Sequence, residues 1–270
     1  MEKMEFKKTD VTDHEKLKLY LIDKAESTQR LFHYTTFEAL LSIIEGKTLR
    51  LSRLDLLNDK AEQKIGQHND IIKSYIISFT KKKEYVSMWA MYGKSSGIKI
   101  RLDFSTSEFL KSIDKFYYDS EKTKLVTFDK TKKLFNLPDK QFNPIQLSDV
   151  AYLDKDKMKI RHNGGTINGL DVNDKLIDKM TGFIKYDAWE FEKETRLRVQ
   201  LNRTATNTEE KLPNYIYCAI SEELINSIHI TFNPWMTPLL KKEIKKSLNS
   251  LCGFDVPCND SADDGEITEL

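Results

Sequence analysis

Apolar residues along the chain recur with two periods, one strand-like and one helical. Leu31-Phe32-His33-Tyr34 reads as a short strand ending in a His-Tyr pair; Thr35 then caps a helix, and Glu38 completes a capping box. That helix buries Leu40, Leu41, Ile43 and Ile44 and stops at Gly46. Residues 48–52 alternate as a second strand. Alternation or β-branched and aromatic content predicts further strands at 74–80, 97–104, 150–153, 215–220 and 228–232. Helices are expected at 10–25, from about 59 to 73 with Ile65 and Ile72 inward, at 87–93, 176–186 and 221–226. A last helix opens at Thr237-Pro238, packs Leu240, Ile244, Leu248 and Leu251, and closes at Gly253. Residues 109–156 are lysine-rich and irregular, and the glycines and asparagines of 161–169 read as a turn or mobile loop.

Without a βαβ rhythm or an internal repeat, this order predicts an α+β fold. It divides into an N-terminal helix (1–30), a single domain (31–256) carrying a lysine-rich insert at about 105–160, and an acidic flexible tail (257–270). Composition narrows the function classes. With 43 basic and 42 acidic residues the net charge is +1, which lacks the basic excess of a dedicated nucleic-acid binder. Cys218, Cys252 and Cys258 form no Cys-x-x-Cys pair, so no metal site or disulfide framework is expected and the thiols suit a reducing cytoplasm. The charged N-terminus lacks an apolar signal core and no apolar run reaches membrane length, so a cytoplasmic protein with no membrane partner is expected.

Three places carry candidate chemistry. His33 is expected at a strand end beside a helix N-terminus, a place suited to a ribose hydroxyl or phosphate. Ser78 and Thr80 share one face of a strand. In Glu192-Lys193-Glu194 the two glutamates would share a strand face, with Arg196 and Arg198 on the same parity. Two readings are open. The first is a solvated charge face on an edge strand, neutralised by the arginines. The second is a carboxylate that stabilises a cationic sugar centre, enclosed by Trp189 and Phe191.

Leu-Phe-His-Tyr-Thr-Thr-Phe at 31–37, Leu-Asn-Asp at 57–59, Ile-Ser-Phe-Thr at 77–80, Met-Trp-Ala-Met-Tyr-Gly at 88–93 followed by Gly97-Ile98, Lys-Tyr-Asp-Ala-Trp-Glu-Phe-Glu-Lys-Glu-Thr-Arg at 185–196 and Ile-Asn-Ser-Ile-His-Ile-Thr-Phe-Asn-Pro-Trp-Met at 225–236 occur in one order. Together they resemble a bacterial family catalogued as domain of unknown function twenty-nine seventy-one, over about residues 31–256. That family is grouped with the ADP-ribosyltransferase superfold. The resemblance implies an ADP-ribosyltransferase-like split β-sandwich of two small sheets with flanking helices, and NAD as substrate in a cleft between the sheets.

It further implies Glu194 and Glu192 as catalytic carboxylates, Glu194 stabilising the ribosyl cation as nicotinamide leaves and Glu192 deprotonating the acceptor. His33, Tyr34, Thr35, Arg53, Asn58, Ser78, Thr80, Trp89 and Tyr92 would contact NAD. His33, Ser78 and Glu194 would then line one cleft. The function implied is that of an NAD-consuming transferase, a bacterial toxin or antiphage effector. Its partners would be NAD, a protein or nucleic-acid acceptor, and a regulatory protein or antitoxin. Two other readings are an NAD glycohydrolase of the same fold and a non-catalytic nucleotide- or RNA-binding module. In the RNA reading Lys122, Lys124, Lys130, Lys132 and Lys133 grip the nucleic acid.

Overall fold

A computed structural model describes residues 30–67, 72–81, 86–93, 99–113, 115–123, 126, 145–154, 158–161, 164–167, 170–172, 174–202 and 212–261. The first elements are β1 (Arg30–Thr36), α1 (Phe37–Gly46), β2 (Thr48–Arg53), a 3-10 turn (Leu54–Leu56), α2 (Lys60–Gly66) and β3 (Ile72–Thr80). Next come α3 (Val86–Gly93), β4 (Lys99–Ser105), α4 (Thr106–Ser112), β5 (Phe116–Tyr117), β6 (Ile145–Asp149) and β7 (Ala151–Leu153). They are followed by β8 (Met158–Arg161), β9 (Gly164–Ile167), β10 (Leu170–Val172), α5 (Asp174–Met180) and β11 (Ile184–Tyr186). A second 3-10 turn (Asp187–Glu192) leads to β12 (Glu194–Asn202) and β13 (Tyr215–Ala219). Last are α6 (Glu222–Asn226), β14 (His229–Phe232), α7 (Pro238–Cys252) and β15 (Cys258–Asn259). The fold class is mixed α+β.

The chain forms two compact units. The first takes residues 1–27, 51–78 and 127–216. Its main sheet sets β3 against β2 (Ser52↔Ile76, Arg53↔Tyr75) and β12 against both β3 and β6, so β12 is not an edge strand. Parallel β7 and β11 put Tyr152 beside Lys185, and β8, β9 and β10 make an antiparallel meander. Core residues here include Leu54, Ile65, Tyr75, Ile177, Phe183, Leu197 and Val199.

The second unit takes residues 28–50, 79–126 and 217–270. β4 pairs with β1 from Arg30↔Ser105 to Thr36↔Lys99, and with β14 on its other edge. β15 adds in parallel to β14. Phe79 meets Phe104 and Phe109 edge-on, with ring centroids 5.9 and 5.0 Å apart, an arrangement that suits the ring quadrupoles, and Phe104 and Phe109 pack tilted at 5.9 Å. Ile244 and Leu248 bury the inner stripe of α7, whereas Leu240 and Leu251 stay exposed.

Local chemistry sets the boundaries, and several differ from expectation. β1 runs through Thr36, so His33 lies mid-strand opposite Leu102 and not at a strand end. The α1 cap is Thr36, whose hydroxyl accepts from Ala39 N at 3.2 Å. Glu38 is then one residue too early for a capping box. Ile72 begins a strand; the helix before it ends at Gly66. There a Cβ would stand 2.8 Å from Asp55 N, so only glycine lets the backbones approach.

The expected helix at 176–186 gives way after Met180 to a turn with Gly182 at φ +87° and then to β11. The expected loop at 161–169 contains β9, and the segment assigned to the tail contributes β15. The α7 signals act as expected: Thr237 accepts from Leu240 N, Pro238 opens the helix and Gly253 closes it at φ +75°. The helix expected at 10–25 and the lysines at 124, 130, 132 and 133 lie outside the described residues.

Candidate functional site

β12 carries the candidate site of the first unit. It alternates Leu197, Val199 and Leu201 with Glu194, Arg196, Arg198 and Gln200, yet both faces are buried. Buried charges require partners. Arg196, 1% exposed, holds both oxygens of Glu62 with its two terminal nitrogens, and its Nη2 also bonds Glu194 Oε2. Its Nη1 donates to the Gly182 carbonyl at 3.0 Å. Glu62 reaches this point because Asp59 caps α2: one Asp59 oxygen accepts from Ala61 N (2.8 Å) and Glu62 N (3.3 Å), fixing the helix's first turn.

Lys185 completes the cluster from β11. Its Nζ lies 2.5 Å from Glu192 Oε2, 3.7 Å from Glu194 Oε2 and 4.0 Å from Glu62 Oε2, and it stacks over Trp189 at 4.7 Å. Among the described residues, the three carboxylates Glu62, Glu192 and Glu194 thus gather around Lys185 and Arg196. The Tyr152 hydroxyl, brought beside Lys185 by strand pairing, accepts from Glu194 N at 2.8 Å. Burial foremost, and then the Glu194 charge, push the Tyr152 hydroxyl well above the ordinary tyrosine range. For Arg196 burial works against the cation, but Glu194 and Glu62 outweigh it and raise the group above its ordinary value.

Glu192 and Glu194 do not share a strand face. Glu192 ends the 3-10 turn, Lys193 is left-handed at φ 45° and ψ 50°, and Glu194 starts β12. Glu192 is wholly buried; Glu194 keeps 7% of its side chain exposed. Its two oxygens differ: Oε2 meets Arg196 and Lys185, whereas among the described residues no donor reaches Oε1. The reading as a solvated edge-strand face does not hold, because both arginines and Glu194 are buried and β12 is paired on both sides. Arg198 is part of that burial, donating to the carbonyls of Thr181 (2.7 Å) and Lys179 (2.8 Å) and stacking on Phe183 at 4.5 Å.

The other expected site residues divide between the units. Ser78 is in the first unit, on β3. Arg53, also there, is engaged by Asp55 at 2.7 Å and the Leu212 carbonyl at 2.8 Å, and Asn58 is exposed. His33, Tyr34, Thr35, Thr80, Trp89 and Tyr92 belong to the second unit. There the His33 ring lies 5.6 Å from Phe79, Tyr34 meets Trp89 edge-on at 4.6 Å, and Thr80 pairs with Phe32. The Tyr92 side chain lies outside the described residues.

Glu62, Lys185 and Tyr152 were not singled out from sequence. Lys185 stands inside the Lys-Tyr-Asp-Ala-Trp phrase and Glu62 three residues after the Leu-Asn-Asp phrase at 57–59, so those two lay near a signal, whereas Tyr152 had none. Among the described residues no cluster of His, Cys, Asp and Glu is arranged to hold a metal ion.

Neither the curated proteins nor the solved structures give a match. Residues 88–197 do match one family, and the matched stretch includes Tyr152, Lys185, Glu192, Glu194 and Arg196 but not His33 or Glu62. That family is described as "Protein of unknown function (DUF2971)", and it is the one that the order of sequence motifs resembles.

Proposed function

We propose that the chain consumes NAD, as a transferase of the ADP-ribosyltransferase type, with Glu194 as its catalytic carboxylate. The observation that carries this reading is the asymmetry of Glu194. Oε2 is anchored by Arg196 and Lys185, while among the described residues no donor reaches Oε1. A carboxylate held by one oxygen can turn the other to a ribose hydroxyl. The carbon–nitrogen bond to nicotinamide then breaks heterolytically: the electron pair leaves with nicotinamide, and the ribosyl carbon becomes an oxocarbenium ion. The Glu194 carboxylate stabilises that cation, and the fixed ion pairs keep it in place as charge develops. An acceptor nucleophile, from a macromolecule or from water, adds to the carbon and loses its proton. Proton uptake by Glu192 requires its release from Lys185.

The test is nicotinamide release from NAD by the full chain, with calorimetric NAD binding alongside. Release by the wild type and a fall of about a hundredfold or more in Glu194→Gln is expected, as for loss of an electrostatic group acting in the transition state. No release and no NAD binding by the wild type overturns the reading. A second reading, a non-catalytic nucleotide-binding module, is favoured by one observation: Arg196 and Lys185 pair with all three carboxylates, and Glu192 is wholly buried. Tight NAD binding without turnover, unchanged in Glu194→Gln, selects it.

A further inference from the structure

Neither reading above gives Glu62 a role of its own. It stands outside the stretch matched to the family and on a different element from the Glu-Lys-Glu segment. It is nonetheless 3% exposed and gives both oxygens to Arg196. Burying a charged carboxylate in a short helix is costly, so its partners must account for it. Those partners point toward Glu194. The Arg196 guanidinium meets Glu62 in two-pronged fashion, the geometry that fixes an arginine's plane as well as its position. With the plane fixed, the same Nη2 that bonds Glu62 Oε2 presents its remaining hydrogen to Glu194 Oε2.

Arg196 and Glu194 are two residues apart on one strand face, and a lone pair of that kind has several rotamers available. Glu62 removes that freedom. The Asp59 cap in turn fixes Glu62, which gives the Leu57-Asn58-Asp59 phrase a physical purpose: it sets the helix that delivers Glu62.

We infer that Glu62 is a positioning residue that holds the Glu194 carboxylate through Arg196, so that Oε2 is anchored and Oε1 left for the substrate. The catalytic part of this inference rests on the NAD-consuming reading; the coupling between Glu62 and Arg196 does not. The competing account makes Glu62 an ordinary buried hydrogen-bonding group that stabilises α2 whatever stands at position 196.

The two accounts differ in the sign of one effect. In the wild type, neutralising Glu62 weakens the hold on Arg196, so Glu62→Gln lowers the urea midpoint. With Arg196→Met in place, Glu62 is a surplus negative charge near Glu192 and Glu194, and among the described residues the cation it faces is Lys185. In that background the same Glu62→Gln change should raise the midpoint. A fall in both backgrounds overturns the inference.

The catalytic arm uses folded Glu62→Gln and Glu62→Asp. Glutamine keeps the size and loses the charge; aspartate keeps the charge and is too short to reach both prongs. For each, kcat for nicotinamide release should fall by about ten- to a hundredfold, the scale of a misplacement near 1 Å, with KM for NAD unchanged. Glu62→Gln and wild type turning over at equal kcat overturns the positioning role. A wild type that neither binds nor cleaves NAD removes the functional reading instead, while the sign reversal between the two backgrounds still decides whether Glu62 acts through Arg196.

Discussion

Gly182→Ala is expected to be among the most damaging single-methyl changes in the first unit. The glycine sits at φ +87°, where an L side chain is strained by about 1–2 kcal/mol. A Cβ there would also stand 3.2 Å from Arg198 Cδ and 3.4 Å from Ile76 Cγ2. Neither neighbour can yield easily. The Arg198 guanidinium is bonded to the Thr181 and Lys179 carbonyls and to Gln146, and Ile76 is packed within β3. Overpacking of this kind adds about 1–3 kcal/mol.

The expected total for Gly182→Ala is therefore about 2–5 kcal/mol, by urea unfolding followed with circular dichroism. Gly253 supplies the comparison. It has φ +75° and nothing within 4 Å of a built Cβ, so Gly253→Ala should cost only the backbone part, about 1–2 kcal/mol. Asparagine separates the two contributions, because it tolerates left-handed backbone but still carries a Cβ. Gly253→Asn should recover most of the loss and Gly182→Asn little of it. If Gly182→Ala costs no more than Gly253→Ala, or if Gly182→Asn is as good as wild type, crowding against Arg198 is not the cause.

Three further outcomes follow from the described contacts. Tyr152 should keep its proton after ordinary phenols have ionised, because burial and Glu194 hold it. The unfolded phenol ionises near pH 10 and the folded one does not, so this stability contribution falls as pH rises past 10, and Tyr152→Phe should remove that part of the loss in ultraviolet-monitored alkaline unfolding. Asp59→Ala removes the cap from Ala61 and Glu62 and should cost about 0.5–2 kcal/mol of stability, read by urea unfolding. Burial, with help from Asp255 and Cys252 and against Lys245, pushes the Cys258 thiol up to about 11, so its alkylation rate should still be rising between pH 9 and pH 11. A plateau near pH 9 would contradict that account.

Elements whose signals are local were legible in sequence. Alternation found β2 and β4, the β-branched and aromatic content of 74–80 found β3, and the Thr237-Pro238 start and Gly253 stop bounded α7 closely. What sequence could not separate was two equivalent local choices: Thr35 and Thr36 are both competent caps, and only the length of β1 paired to β4 selects the second. β9 was misread because Gly164 and Gly165 resemble a loop until strands on both sides take their hydrogen bonds.

The site failed differently. Arg196 and Arg198 alternate with leucine and valine as on a half-exposed strand, so their burial has no signature in the pattern. Their charge partner Glu62 lies 134 residues from Arg196. A buried ion pair and two solvated charges read the same along one dimension; only the packed sheet distinguishes them.

Lys193 has one more consequence. Because the chain turns through a left-handed residue between Glu192 and Glu194, the two carboxylates hang from separate supports: one from a 3-10 turn, the other from sheet register. Their backbones are held independently, and Lys185 is the side chain that touches both. A residue gained or lost in Asp187–Glu192 would swing Glu192 and Trp189 while β12 kept its register on β6, with Thr195 opposite Asp149. The length of that turn therefore sets where Glu192 and Trp189 stand, whereas sheet register sets where Glu194 stands.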